Sequence, residues 1–115
     1  MDMDLSSEHL QFRDEVVDFI ETEMSPEMRR DARNGHYFAH EATMEWHSLL
    51  YKKGWIAPHW PEEYGGTGWD ITRRFIFTEA LAVANTPELS PFGLVMVGPL
   101  LIQFGTDEQL SLIHI

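Results

Sequence analysis

Apolar residues recur at helical spacing along most of the chain. Phe12, Val16, Phe19 and Ile20 share one stripe while Arg13, Asp14, Asp18 and Glu21 lie elsewhere, so an amphipathic helix is predicted from about Ser7 to Met24. Ser6 or Ser7 can cap it, since a hydroxyl accepts from an otherwise unpaired first-turn N–H, and Glu8 suits the positive end of the helix dipole. Ser25-Pro26 stops it, because the residue before proline is pushed out of the helical region. Residues 27–37 are polar and contain the turn signal Asn34-Gly35. A second helix is expected from about Ala39 to Lys53, with Ala42, Trp46, Leu49 and Leu50 on its apolar side and Gly54 as its stop. Asp70 is a good N-cap for a third helix reaching about Ala84, with Ile71, Phe75, Thr78, Leu81 and Ala82 on one face and Asn85-Thr86-Pro87 ending it. A short fourth helix from Pro99 carries Leu100, Leu101 and Phe104 to Gly105. Thr106-Asp107-Glu108-Gln109 then has the form of a capping box, which signals the start of a fifth.

Two stretches break the helical pattern. Residues 55–69 hold two prolines, three glycines, three tryptophans and a tyrosine, so they read as a loop ordered by buried rings rather than by a backbone ladder. The segment Pro91-Phe92-Gly93-Leu94-Val95-Met96-Val97-Gly98-Pro99 is too rich in glycine and proline for a core helix, yet carries five large apolar side chains. Such a strip can line an apolar ligand groove or pack against a neighbouring domain. With no internal repeat and no low-complexity segment, the fold class is all-α: about four helices and an aromatic, Gly/Pro-rich loop, cut short at the fifth helix.

Composition narrows the function classes. Against 8 Lys and Arg stand 19 Asp and Glu, a formal net charge of −11, which repels phosphates and disfavours nucleic acid and anionic membranes as partners. With no cysteine there are no disulfides, thiolate metal sites or Cys nucleophile. The acidic start Met1-Asp2-Met3-Asp4 is unlike a signal peptide, and no apolar run approaches the roughly 20 residues that span a bilayer, so a cytoplasmic location is expected.

Candidate chemistry is sparse. Gly65-Gly66-Thr67-Gly68 precedes a helix as a phosphate loop does, but no strand comes before it, no Lys-Ser/Thr follows, and Asp70 would put a carboxylate at the anion's place; it reads as a tight structural turn. His40-Glu41 begins like a zinc motif, but Met44 occupies the second histidine position, so His36, His40 and His47 read as solvated and no metal site is expected. His59, between Pro58 and Trp60, is the histidine expected to be packed, its ring hydrogen-bonding to hold the loop. Glu62-Glu63 and Glu21/Glu23 read as surface charge, since sequence neighbours usually point apart. Ser90 and Ser111 lack a nucleophile elbow. Trp46, Trp55, Trp60, Trp69 and Tyr64 can in principle form a cage for a cation, but packing of the loop on the helices is the expected role. No catalytic and no cofactor-binding residue is expected within this chain.

The closing residues Leu110-Ser111-Leu112-Ile113-His114-Ile115 follow a helix-start signal with little helical amphipathicity. They equal, codon by codon, the translation of CTG TCT CTT ATA CAC ATC, a transposon-end sequence ligated to DNA fragments in a common library method. Residues 110–115 are therefore read as adapter-derived and residues 1–109 as an incomplete domain.

Two long motifs carry a family resemblance. Gly54-Trp55-Ile56-Ala57-Pro58-His59-Trp60-Pro61-Glu62-Glu63-Tyr64-Gly65-Gly66-Thr67-Gly68 resembles the Gly-Trp…Pro…Trp-Pro-x-Glu-Tyr-Gly-Gly-x-Gly loop of acyl-CoA dehydrogenases. Gly98-Pro99-Leu100-Leu101-Ile102-Gln103-Phe104-Gly105-Thr106-Asp107-Glu108-Gln109 is similar to that family's Gly-Pro…Phe-Gly-Thr-x-Glu-Gln lead into a further helix. The resemblance covers residues 5–109 and implies the N-terminal helical domain of a protein that continues into a middle β-domain and a C-terminal four-helix domain. It further implies a tetramer, homomeric or heteromeric, with FAD between the latter two domains. A glutamate base takes the α-proton of the acyl thioester while a hydride leaves the β-carbon for the flavin, which electron-transfer flavoprotein or a similar acceptor reoxidises. By the same resemblance FAD and the base are held by residues beyond Gln109, and the segment before the Gly-Pro helix borders the fatty chain, which here points to Phe92, Val95 and Met96 as substrate-pocket residues. The Trp69 position and the Pro91–Pro99 strip look most like bacterial members acting on bulky, dicarboxylic or steroid-derived acyl-CoA.

The alternatives are a complete small helical binding module with the Pro91–Pro99 strip as its partner groove, or a flavin monooxygenase on the same fold. By itself the 115-residue chain is expected to be inactive and marginally stable. Sequencing the source genome outward from codon 109 is expected to show the frame continuing through an amphipathic helix into a strand-rich domain. A stop codon directly after Ile115 would remove the enzyme reading and leave the binding module.

Overall fold

The computed structural model describes residues 4–112, and among these every regular element is helical. Helix α1, Ser7–Glu23, starts where Ser6 accepts from the His9 N–H at 3.2 Å and buries Phe12, Val16 and Ile20 on the expected stripe, with Phe19 half-buried beside them. Helix α3, His40–Lys53, buries Trp46 and Leu50 and half-buries Ala42 and Leu49; Gly54 ends it in the left-handed conformation at φ 84°.

Between these two the polar stretch is not a loop. Helix α2 spans Pro26–Asn34, capped by the Ser25 hydroxyl, which accepts from the Met28 N–H at 3.1 Å. The proline that stops α1 thus opens α2, because a first-turn residue has no intrahelical use for its N–H and a fixed φ suits the position. Only Met28 and Ala32, four residues apart, face inward, and Gly35 closes the helix at φ 66°. One inward contact per turn is enough to dock a helix that its sequence makes look solvated.

Helix α4, Ile71–Ala84, starts at the expected cap but packs through a different face. Ile76 and Phe77 are 3% and 4% exposed, whereas Ile71 at 76%, Phe75 at 64% and Val83 at 78% stand in solvent. Of the face read from periodicity, only Leu81 turns partly inward. The helix is apolar on two sides, so spacing alone does not decide which side meets α1. Residues 55–69 form the expected irregular loop, interrupted only by the single 3-10 turn Glu62–Tyr64.

The strip after Pro91 is also helical, contrary to its glycine and proline content. Phe92–Val97 forms one wide π-type turn that runs directly into α5, Gly98–Phe104. Helix α6, Asp107–Leu112, begins with the capping box in both directions: the Gln109 N–H donates to Thr106 Oγ1 at 3.2 Å, and the Thr106 N–H to Gln109 Oε1 at 3.0 Å. The first three residues of the closing hexapeptide continue α6, while Ile113, His114 and Ile115 lie outside the described residues.

The core runs along the α1–α4 contact and takes in Met24, Met28, Trp46, Leu50 and Trp55. The molecule is a slab, 41 × 41 × 22 Å, with a radius of gyration of 15.5 Å. A compact domain of about 100 residues has roughly 13 Å. Substitution separates the two sides of α4. Ile76→Ala is expected to cost about 2–5 kcal/mol and Phe75→Ala about 0.5 kcal/mol or less, read from urea unfolding. The reverse order would mean that α4 packs through the Ile71–Phe75 side.

Candidate functional site

The aromatic loop is built around rings. Trp55 leaves α3 with its N–H on the Leu50 carbonyl at 2.9 Å and lies edge-on to Phe19, Trp69 and Phe77 at centroid distances of 5.0, 5.5 and 5.8 Å. Trp69 in turn meets Phe12 at 4.9 Å and Phe77 at 5.2 Å. Edge-to-face pairs of this kind add roughly 0.5–1.5 kcal/mol each beyond the area they bury. The five rings weighed as a cation cage do not converge: Trp46 is fully buried against Phe19, and Trp60 turns to the Leu94 carbonyl. Among the described residues the cation over these rings is the chain's own Lys53 ammonium, 4.9 Å from the Trp55 centroid.

The glycine turn is structural. The Gly65 and Gly66 N–H groups donate to the carbonyls of Glu62 and Pro61 at 3.1 and 3.0 Å, and Gly65 takes φ 101°, so these amides are committed inside the loop. At Gly66 the Trp60 carbonyl stands where a Cβ would be, which makes glycine obligatory there.

His59 is exposed rather than packed, but it makes the ring hydrogen bond expected of it. Its Nε2 donates to the Leu94 carbonyl at 2.9 Å, and Nε1 of Trp60 donates to the same oxygen at 2.7 Å. This ties the loop to the wide turn that carries the pocket candidates. Phe92, Val95 and Met96 stand on that turn at 67%, 58% and 56% exposure, and Val97, Leu100 and Phe104 extend the apolar strip along α5.

Among the other candidates, His36 and His40 are exposed, His47 is half-buried, and no group of residues suited to a metal ion occurs among the described residues. Glu21, Glu23, Glu62 and Glu63 are all exposed.

Sequence reasoning passed over one polar network. His9 Nε2 donates to Asp70 Oδ2 at 3.1 Å while its Nδ1 lies 3.0 Å from the Ser6 hydroxyl, so one imidazole joins the N-caps of α1 and α4. Arg73 adds an ion pair to Asp70 at 2.6 Å and approaches Glu8 at 3.8 Å. The legible signal was a cap residue with a partner three positions on, twice: Ser6 with His9 and Asp70 with Arg73. The Arg73 backbone N–H first, and then the His9 ring, hold the Asp70 carboxyl below its ordinary value.

The family model described as "Acyl-CoA dehydrogenase, N-terminal domain" matches residues 6–111. The chain belongs to the acyl-CoA dehydrogenase family. It is 36% identical over 103 residues to acyl-CoA dehydrogenase FadE26 of Mycobacterium tuberculosis, covering 86% of this chain and 25% of that protein. It is 40% identical over 74 residues to acyl-CoA dehydrogenase IpdE1 of Mycolicibacterium smegmatis, covering 61% of this chain and 19% of that one. Among solved structures it superposes on the ChsE4-ChsE5 complex from Mycobacterium tuberculosis with a TM-score of 0.76 at 31% identity, covering 96% of this chain and 27% of that one. A structure described as "Tcur3481-Tcur3483 steroid ACAD" gives 0.77 at 28% identity, with 96% and 28% covered. The chain thus spans about a quarter of the length of the acyl-CoA dehydrogenases it resembles, and its all-α fold is that of the family's N-terminal domain.

A depressed carboxyl stabilises the fold above its unfolded value, near pH 4, and loses that contribution as pH falls through the lower folded value. Asp70→Asn, which keeps a capping oxygen but cannot titrate, is therefore expected to lose less stability than the native protein as pH drops below about 4. Thermal midpoints across pH 2–6 provide the check, and parallel curves for the two proteins would remove Asp70 from the acid response.

Proposed function

We propose that this chain is the N-terminal helical part of an FAD-dependent acyl-CoA dehydrogenase that introduces an α,β double bond into a bulky, steroid-derived acyl-CoA. Its own contribution is one wall of the acyl pocket. The observation that carries the proposal is the exposed apolar strip Phe92, Val95 and Met96, on a turn fixed from behind by the aromatic loop. A soluble domain seldom leaves large apolar side chains in a row unless a ligand or another surface covers them. Membership of the family supports the oxidoreductase reading, and likeness to a structure described as a steroid ACAD supports the bulky substrate.

The described residues do not fit FAD. The Gly65 and Gly66 amides go to loop carbonyls, and the N-terminus of α4 is taken by the Asp70 carboxylate. The residues that hold the flavin and the glutamate base belong to the part of the family's length that this chain does not span, so the residues present bind and shape rather than react. A multi-chain assembly, homomeric or heteromeric, accords with the paired names of both structural relatives, and the outward side of α4 offers apolar surface to such neighbours. An electron-transfer flavoprotein or similar acceptor would then take the electrons. No helix among the described residues is long and apolar enough to cross a membrane, which accords with a cytoplasmic enzyme.

In the full-length enzyme Met96→Trp is expected to raise the KM for a steroid-derived acyl-CoA about tenfold while a short acyl-CoA is hardly affected, because overpacking a shaped pocket costs about 1–3 kcal/mol. Steady-state kinetics over a series of acyl groups reads this. Unaltered selectivity in Met96→Trp and in Phe92→Ala would overturn the assignment of the wall.

A further inference from the structure

In a π-type turn each carbonyl accepts from the N–H five residues on. Gly93 follows that rule, its carbonyl accepting from the Gly98 N–H. The donor due to Leu94 is residue 99, and Pro99 has no N–H to give. The α-type alternative for Leu94 is the Gly98 N–H, which is already engaged. The turn therefore leaves the carbonyl of Leu94, a half-buried residue, without a backbone donor by its own sequence, and a carbonyl shielded from water without a donor is costly.

Two consecutive side chains of the aromatic loop close that gap. His59 and Trp60 both donate ring N–H groups to the Leu94 oxygen, at 2.9 and 2.7 Å. The Trp60 ring also occupies the space a Cβ on Gly98 would need, so the turn can come this close only because residue 98 is glycine. Trp60 is itself held, with its N–H on the Ala57 carbonyl at 3.1 Å and its carbonyl pressed on Gly66. A rigid loop thus grips the turn at a single atom, and Val95 and Met96 are the next two residues along the chain.

We infer that His59 and Trp60 are positioning residues for the acyl-pocket wall. Their joint donation to Leu94 fixes where Phe92, Val95 and Met96 stand and so determines which acyl groups are accepted. The inference rests on the pocket reading above. It assigns to the loop a role in selectivity that reaches the substrate only through the turn.

The test uses the full-length flavoenzyme with a short and a steroid-derived acyl-CoA. Trp60→Phe keeps a ring against Gly98 but deletes the N–H. His59→Ala deletes the second donor on an exposed side chain, and His59→Gln supplies a replacement N–H. Trp60→Phe and His59→Ala are each expected to raise the KM for the bulky substrate about fivefold, the value of one hydrogen bond. They should leave kcat and the KM of the short substrate unchanged, and His59→Gln should recover part of the loss. An equal loss on both substrates, or no change on either, overturns the positioning role. Met96→Trp, measured alongside, separates the two readings. If it shifts selectivity and the ring variants do not, the wall stands and the positioning role falls; if neither shifts it, both fall. Ring variants that shift selectivity while Met96→Trp does not would mean that the rings act elsewhere, which also overturns the inference.

Discussion

Trp55 is the residue on which the remaining packing depends. It follows the stop of α3, is almost fully buried, and meets rings from α1, from α4 and from its own loop. An irregular segment has no ladder to order it, so its conformational entropy must be offset by side-chain burial, and a tryptophan supplies more apolar area per residue than any alternative. Once Trp55 is seated, Trp69 closes the other end of the loop on Phe12 and Phe77. The intervening residues have little freedom left, and His59 and Trp60 are delivered to Leu94 as a consequence. The aromatic content of the loop is therefore the cause of its geometry.

Prolines set the boundaries. Pro26 removes an N–H where the end of α1 has no use for one and the start of α2 has none to lose, so one residue serves as both stop and start. Pro99 sits at the equivalent first-turn position of α5, but there its missing N–H falls due to a carbonyl five residues back in a wide turn. The same chemical deletion is free at one site and leaves a debt at the other, and the His59–Trp60 pair settles it.

Most of the helical framework was legible because cap chemistry and a single apolar stripe agreed. Ser6, Asp70 and the Thr106–Gln109 box each act as their residue types require. Helix α2 was not legible, since apart from Pro26, Met28 and Ala32 it consists of charged residues and asparagine, and two inward contacts are too few to show as a period. The orientation of α4 failed for the opposite reason, with apolar residues on both sides. At the candidate site, Phe92, Val95 and Met96 came from family resemblance, not from periodicity. The ring hydrogen bond of His59 was foreseen from its setting between Pro58 and Trp60. Its acceptor was not, because it lies 35 residues away and is a backbone oxygen, which no residue type announces.

The two exposed apolar surfaces differ in a way that bears on their use. The outer side of α4, with Ile71, Phe75 and Val83, rests on a regular helix whose own ladder and inner face keep it in shape. The strip Phe92–Val97 stands on a single wide turn that lacks one backbone donor outright, because Pro99 has no N–H. Surface destined only for a protein neighbour can be shaped by that neighbour on contact. A surface that must receive a small, variable ligand has to hold its shape while empty, because the cost of ordering it would otherwise be charged against every binding event. Bracing is concentrated at Leu94, behind the strip that is least able to hold itself. That distribution supports the proposal that Phe92, Val95 and Met96 face a ligand while other protein elements cover the α4 side.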